Sequence, residues 1–183
     1  MAILATVFVG LAFGAGDQYL GSRSALGVWA STVSAMSAPW VVLPFLVGLT
    51  QERARRAIAL GLLATTSALV GYFTMTYSPM EGVPIGRFLP GLVAVVRSGY
   101  NPLWIVGGLV TGPLYGWLGR RWRVDRSWTS VVLVAGALCL EPLARRAVGM
   151  LPPPGLAWGI EVVIGVAVAG SSAVAIAAGS ERS

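Results

Sequence analysis

The sequence predicts an all-α integral membrane protein of six transmembrane helices, and three observations carry that expectation. Hydrophobic residues fill 56% of the 183 positions and charged residues only 11%, against about 25% charged in an ordinary soluble domain. The apolar residues form long runs rather than short alternating segments. That favours helices over a transmembrane barrel, because lipid offers no partner to the backbone of an open strand. The basic residues, 13 in all, are every one arginine, and they fall in the short connections between the runs, as topology signals do.

The first span is expected at residues 1–20, with Asp17 near its far end. Gly10 and Gly14 are four apart, as are Ala12 and Gly16, so one face is expected to be lined by small residues that let helices approach closely in lipid. Residues 1–16 resemble the apolar core of a signal peptide, but nothing basic precedes them, and a retained first helix is expected. Residues 26–37 are mildly apolar and rich in Ser and Thr. They read as an interfacial helix leading into a second span at 34–50, which Pro44 is expected to kink. A basic loop with Arg53, Arg55 and Arg56 follows.

The third span is expected at 57–77. Its second half is polar and aromatic, with Tyr72 and Tyr77 near the end, where tyrosines commonly mark the membrane interface. Residues 78–100 form the longest connection and hold Pro79, Pro84 and Pro90. Within it, residues 88–96 are apolar but too short to cross as a helix, which predicts an interfacial or re-entrant segment near 85–98. The fourth span, 101–119, starts at Asn101 and runs into a basic, Trp-bearing loop. Gly108, Gly112 and Gly116 recur every four residues along it, and Pro113 is expected to bend it. The fifth span, 127–144, ends at Glu141-Pro142 before Arg145 and Arg146. After the break at Pro152-Pro153-Pro154-Gly155 comes the sixth, 157–178. No linker or internal repeat divides the chain, so residues 1–183 read as a single domain.

Arginine counting sets the orientation. With six crossings, one side carries Arg53, Arg55, Arg56, Arg120, Arg121, Arg123, Arg126 and Arg182, and the other carries Arg23, Arg87, Arg97, Arg145 and Arg146. The richer side is expected to be cytoplasmic, which places both termini inside. A seventh crossing at 88–96 would put the Arg120 loop opposite the Arg53 loop and weaken that bias. The all-arginine usage, with abundant Ala, Gly, Val and Leu, suggests a GC-rich bacterial genome and hence a multi-pass protein of the bacterial inner membrane.

Candidate chemistry lies in the outer half. Ionisable groups within apolar spans are costly and face the bundle interior or a wet cavity. Asp17, Glu141 and Glu161 are such groups, and Glu161 lies deepest in an uninterrupted apolar run. Asn101 starts a helix in the same layer, which presents a partial positive charge there. One expectation is therefore a polar pocket walled by spans one, three, five and six, in which Asp17, Glu141 and Glu161 face Arg145 or Arg97, with Tyr72 alongside. The competing expectation is that these carboxylates pair with loop arginines and only fix helix register.

Other classes are poorly served. Without histidine the commonest metal ligand and general base is missing, and no metal or other cofactor is expected. Cys139 has no His partner and sits in an apolar run, a poor setting for a nucleophilic thiol. No phosphate-binding loop with a lysine exists, so an enzyme is not expected. Nucleic acid is not an expected partner either, because the arginines form no continuous basic face. The expected partners are the lipid bilayer, a small-molecule ligand, and a membrane subunit or second copy meeting the small-residue faces at Gly10 and Gly14 or at Gly108, Gly112 and Gly116. GxxxG spacing of this kind marks close helix contact without saying which helix is the partner.

PWVVLPFLVG in the second span, GYFTMTY closing the third, GLVTGPLYGWLGRRWR closing the fourth and VAGALCLEPLARR in the fifth resemble a group of small actinobacterial membrane proteins of unknown function. That resemblance implies six helices and no particular activity. The chain is also similar, more weakly, to the substrate-binding S components of energy-coupling-factor vitamin transporters, six-helix proteins with an outward-facing pocket. There, Ala12, Gly14 and Gly16 would take the small-residue role that meets a transmembrane coupling partner, with AxxxG in place of AxxxA.

Overall fold

A computed structural model describes residues 2–95, 99, 101–147, 159–163, 165–167 and 170. Seven helices are formed among them: α1 (Ala2–Ser22), α2 (Val28–Ser34), α3 (Ala38–Leu49), α4 (Ala54–Thr76), α5 (Phe88–Val95), α6 (Asn101–Asp125) and α7 (Trp128–Ala147). Residues 159–163 and 165–167 are helical as well. No strand occurs among the described residues. The expected span at 157–178 lies largely outside them.

The centre of the bundle is α4. Half of its most apolar stretch is buried (50%), against 17% for α1. Its buried stripe runs Ala57, Leu60, Gly61, Ala64, Thr65, Ala68, Gly71 and Met75, a helical repeat made mostly of small residues. Such a stripe lets neighbouring backbones come close, which drives association where lipid removes the hydrophobic advantage. α1 lies parallel to it: a Cβ on Gly10 would meet the Ala64 carbonyl and Ser67, and one on Gly14 would collide with the Ala68 carbonyl. α6 lies antiparallel on another side, with Gly116 against Ala57 and Gly61, Gly112 against Gly61 and Thr65, and Gly108 against Leu69. Gly116 also abuts Gly48 of α3, and Gly119 abuts Phe45. The glycine series is thus consumed inside the chain. The two small-residue pairs of α1 prove to lie on different faces, since four-residue spacing repeats a face and a two-residue offset turns away from it. Gly10 and Gly14 are buried, whereas Ala12 is exposed and nothing stands near Gly16.

Proline placement explains the main irregularity. α2 and α3 meet at a 53° bend across Ala35–Ser37, not at Pro44, which sits buried within a continuous α3. Pro39 has no N–H to offer the Ala35 carbonyl four residues back, and its ring crowds that carbonyl. In the first turn of α3 the same proline is tolerated, because N–H groups there have no helical partner anyway. α6 likewise continues through Pro113.

By length and composition, α1 and α4 can each cross a membrane, and the bent α2–α3 pair makes a third crossing if it is one broken span. Helices also form at the fourth and fifth expected spans. In α6 the glycines, prolines, Trp and Tyr dilute the apolar content, and α7 is apolar only over Trp128–Glu141. The described part of the segment near 85–98 forms a single turn at Ile85–Arg87 followed by the eight-residue α5. Leu4, Phe8, Leu103, Val110, Leu133 and Leu140 are all exposed. Apolar exposure spread over several helices in this way is consistent with a membrane protein.

The two ends of the bundle differ. At one end Arg120 Nε donates to the Glu52 carbonyl (2.9 Å), Arg123 donates to the Leu49 carbonyl (3.2 Å), and Arg123 pairs with Glu52 (3.9 Å). Next to this end, Phe45, Tyr115, Leu118 and Val134 form an apolar core joining α3, α6 and α7. At the other end Arg23 ties the α1–α2 turn to the turn after α4, donating to the Met80 carbonyl (2.6 Å) and pairing with Glu81 (3.9 Å). Glu81 also accepts from the Ser22 hydroxyl (2.7 Å).

Candidate functional site

Beyond the apolar core, towards the Asn101 end of α6, the helices part around a cavity of about 380 Å³. That lies within the ~300–1,000 Å³ typical of small-molecule sites. It is walled by α1, the α2–α3 break, α4 and α6. The break is what opens it. Where α2 stops and α3 starts anew at a different angle, Ser34, Ala35, Met36 and Ser37 line the space instead of filling it. The glycines of α6 contribute in the same way, because Gly107 and Gly108 present no side chain to the cavity.

Asp17 is the only charged side chain among the described lining residues. It is 8% exposed and held by an indole. The Trp40 indole N–H donates to its Oδ2 at 3.2 Å, and Ser34 lines the cavity with it. Trp40 is in turn fixed by edge-to-face contacts with Phe13 (centroids 5.3 Å apart) and Tyr72 (5.9 Å), and Tyr72 contacts Phe73 in the same manner (5.5 Å). Such edge contacts align a ring's positive rim with its neighbour's negative face. Trp104 adds a fourth aromatic side chain to the lining.

Hydroxyl groups complete the polar lining. Thr65 Oγ1 lies within hydrogen-bonding distance of its own helix's Gly61 and Leu62 carbonyls, at 3.2 and 3.1 Å. Its proton is thereby committed to the backbone, and towards the cavity the oxygen is an acceptor. Thr111, on the facing side of α6, is the other threonine of the lining.

Among the described residues the structure gathers part of the expected set. Asp17 and Tyr72 are together in the cavity. Glu141 is beside it but not in its lining: its Oε1 accepts the Ser37 N–H at 2.8 Å and so caps the start of α3. Glu161, expected at the centre, is fully buried but is not among the lining residues. Nearby in sequence, Gly165 packs towards α7, where a Cβ on it would meet Cys139 and the Ala135 carbonyl. Among the described residues, the walls are supplied by α3 and α6 together with α1 and α4. Asn101 does begin α6, and Arg145 lies in α7, but their side chains fall outside the described residues, as does Arg97 altogether.

Trp40, Ser34, Thr65 and Thr111 were not expected at the site. Trp40 carried a signal, an aromatic next to Pro39 at a span entrance, but nothing in the sequence tied it to Asp17, 23 residues earlier. No group of three or more His, Cys, Asp or Glu that could hold a metal occurs among the described residues. No family model, curated protein or solved structure matches this chain.

Proposed function

We propose that this is a multi-pass protein of the bacterial cytoplasmic membrane that binds a small molecule in the Asp17 cavity, as a transporter component or carrier. In this reading six helices cross the bilayer, both termini are cytoplasmic, and the cavity lies in the outer half. The observation that carries the proposal is a largely apolar, partly aromatic cavity that holds one carboxylate and is built at a broken helix. Non-helical backbone at membrane depth is tolerated where it lines a cavity, and discontinuous helices are a recurrent way to build transporter sites. A buried carboxylate within a span is costly to maintain, and such groups mark substrate or ion pathways.

Native mass spectrometry of the protein in lipid nanodiscs tests this proposal. The wild type is expected to retain a bound small molecule. Gly107→Phe should lose it, because Gly107 lines the cavity and has open space where a side chain would go. An empty wild type that co-purifies with another membrane subunit would instead favour an accessory, non-binding role. One observation supports that second reading: Ala12 and Gly16 form a small-residue strip of α1 that none of the described residues covers.

A further inference from the structure

We propose that the ligand of the Asp17 cavity is a monovalent organic cation, a protonated amine carrying a flat apolar group. This inference rests on the small-molecule reading above and narrows it to one chemical class.

Three features of the lining point the same way. The first is charge. Asp17 is the one charged side chain among the described lining residues and is largely withdrawn from solvent. In such surroundings a carboxylate attracts a cation more strongly than it would in water and repels an anion.

The second is the aromatic wall. Trp40, Tyr72 and Phe73 stand in a chain of edge-to-face contacts, with Trp104 also lining the space. The Trp40 indole N–H is occupied by Asp17, which leaves the ring's π system as what it can offer a ligand. Aromatic side chains beside a carboxylate suit an ammonium group through cation–π attraction, and they suit a flat apolar group by stacking.

The third is hydrogen-bond polarity. Thr65 directs its proton to its own helix, so it offers the cavity an acceptor, which matches a ligand rich in donors. The N-terminus of α3, at the edge of the lining, is an element that would favour an anion. Its Ser37 N–H is already taken by the Glu141 carboxylate.

Equilibrium dialysis of the nanodisc-embedded protein, corrected against empty nanodiscs, tests the inference with three probes of similar size: phenethylammonium, 2-phenylethanol and 3-phenylpropionate. Phenethylammonium is expected to bind at least about ten-fold more tightly than the other two, the size of effect that a buried charge pair with cation–π contact supports. Asp17→Asn should abolish that preference. The asparagine still offers Trp40 an acceptor oxygen, so the cavity walls are retained. Gly107→Phe should remove binding of all three. Equal or tighter binding of the alcohol or the carboxylate overturns the cation assignment while leaving a small-molecule site in place. So does a preference that survives Asp17→Asn. Absence of binding by every probe also overturns it, while loss of a co-purified molecule in Gly107→Phe would still uphold the small-molecule reading.

Discussion

At the residue scale, the carboxylates of Asp17 and Glu141 do different work on the same short piece of chain. Asp17 holds the first turn of α3 through the Trp40 indole, and Glu141 holds its start through the Ser37 N–H. The second contact joins a charged acceptor to a helix N-terminus, where the partial positive charge of the unpaired N–H groups strengthens it. Hydrogen bonds to charged groups contribute about 1.5–3 kcal/mol, and removing one partner leaves the other to bear its desolvation. Glu141→Ala should therefore lower the thermal unfolding midpoint in nanodiscs. Glu141→Gln keeps an acceptor oxygen and loses only the charge, a smaller cost of about 0.3–1 kcal/mol, so its midpoint should fall between wild type and Glu141→Ala. If the alanine variant melts with the wild type, the cap does not hold the break in α3 together.

At the element scale, α4 is the helix on which α1 and α6 are assembled, and the contact is made by backbone approach. A Cβ on Gly14 would run into the Ala68 carbonyl, whereas one on Gly16 meets nothing within 4 Å. Gly14→Ala should thus force the helices apart, at the ~1–3 kcal/mol typical of overpacking. Gly16→Ala should be neutral or slightly stabilising, because alanine is the better helix former by up to about 1 kcal/mol. Denaturant titration of the two variants measures the contrast, and equal losses would mean that α1 does not pack through Gly14. The glycine spacing was legible in the sequence because close approach demands small residues at a helical repeat. Its partner was not, because the answering stripe on α4, Ala57, Gly61, Ala64, Ala68 and Gly71, looks like ordinary alanine-rich helix until another backbone lies on it. The break was misplaced for a related reason. Pro44 lies inside the apolar run and drew the expectation of a kink. Pro39 acts on the carbonyl four residues earlier and so ends α2 outside that run. The site followed from the break. Depth within an apolar run singled out Glu161, but a cavity depends on which helices meet, and that placed Asp17 at its wall instead.

At the scale of the whole molecule, the question is whether α6 crosses the bilayer despite its diluted apolar content. Trp104 and Trp122 are eighteen residues apart on one continuous helix, about 27 Å at 1.5 Å per residue, close to the ~30 Å of a bilayer's hydrocarbon core. Trp122 and Trp117 each carry an arginine over the ring, Arg126 at 5.7 Å and Arg121 at 5.2 Å. Stacks of this kind suit the headgroup layer, where an aromatic body and a charged tip both find their solvent. Arg120 and Arg123 tie the same end to the loop after α3, so the two arginine-rich connections share one end of the bundle, as a cytoplasmic face requires. A cysteine-labelling experiment follows from this arrangement. In a Cys139→Ser background, Arg55→Cys, Met80→Cys and Asp125→Cys each place a thiol at an exposed position. Asp125 pairs with Arg121 across 3.9 Å at the surface, a contact whose loss costs little. A membrane-impermeant maleimide added to intact cells should label Met80→Cys alone, and permeabilisation should expose the other two. Labelling of Arg55→Cys and Asp125→Cys from opposite sides would mean that an odd number of crossings separates them. In that case either α6 lies along the membrane or the short segment containing α5 traverses it, and the Asp17 cavity would no longer be bounded by four helices that share one layer of the bilayer.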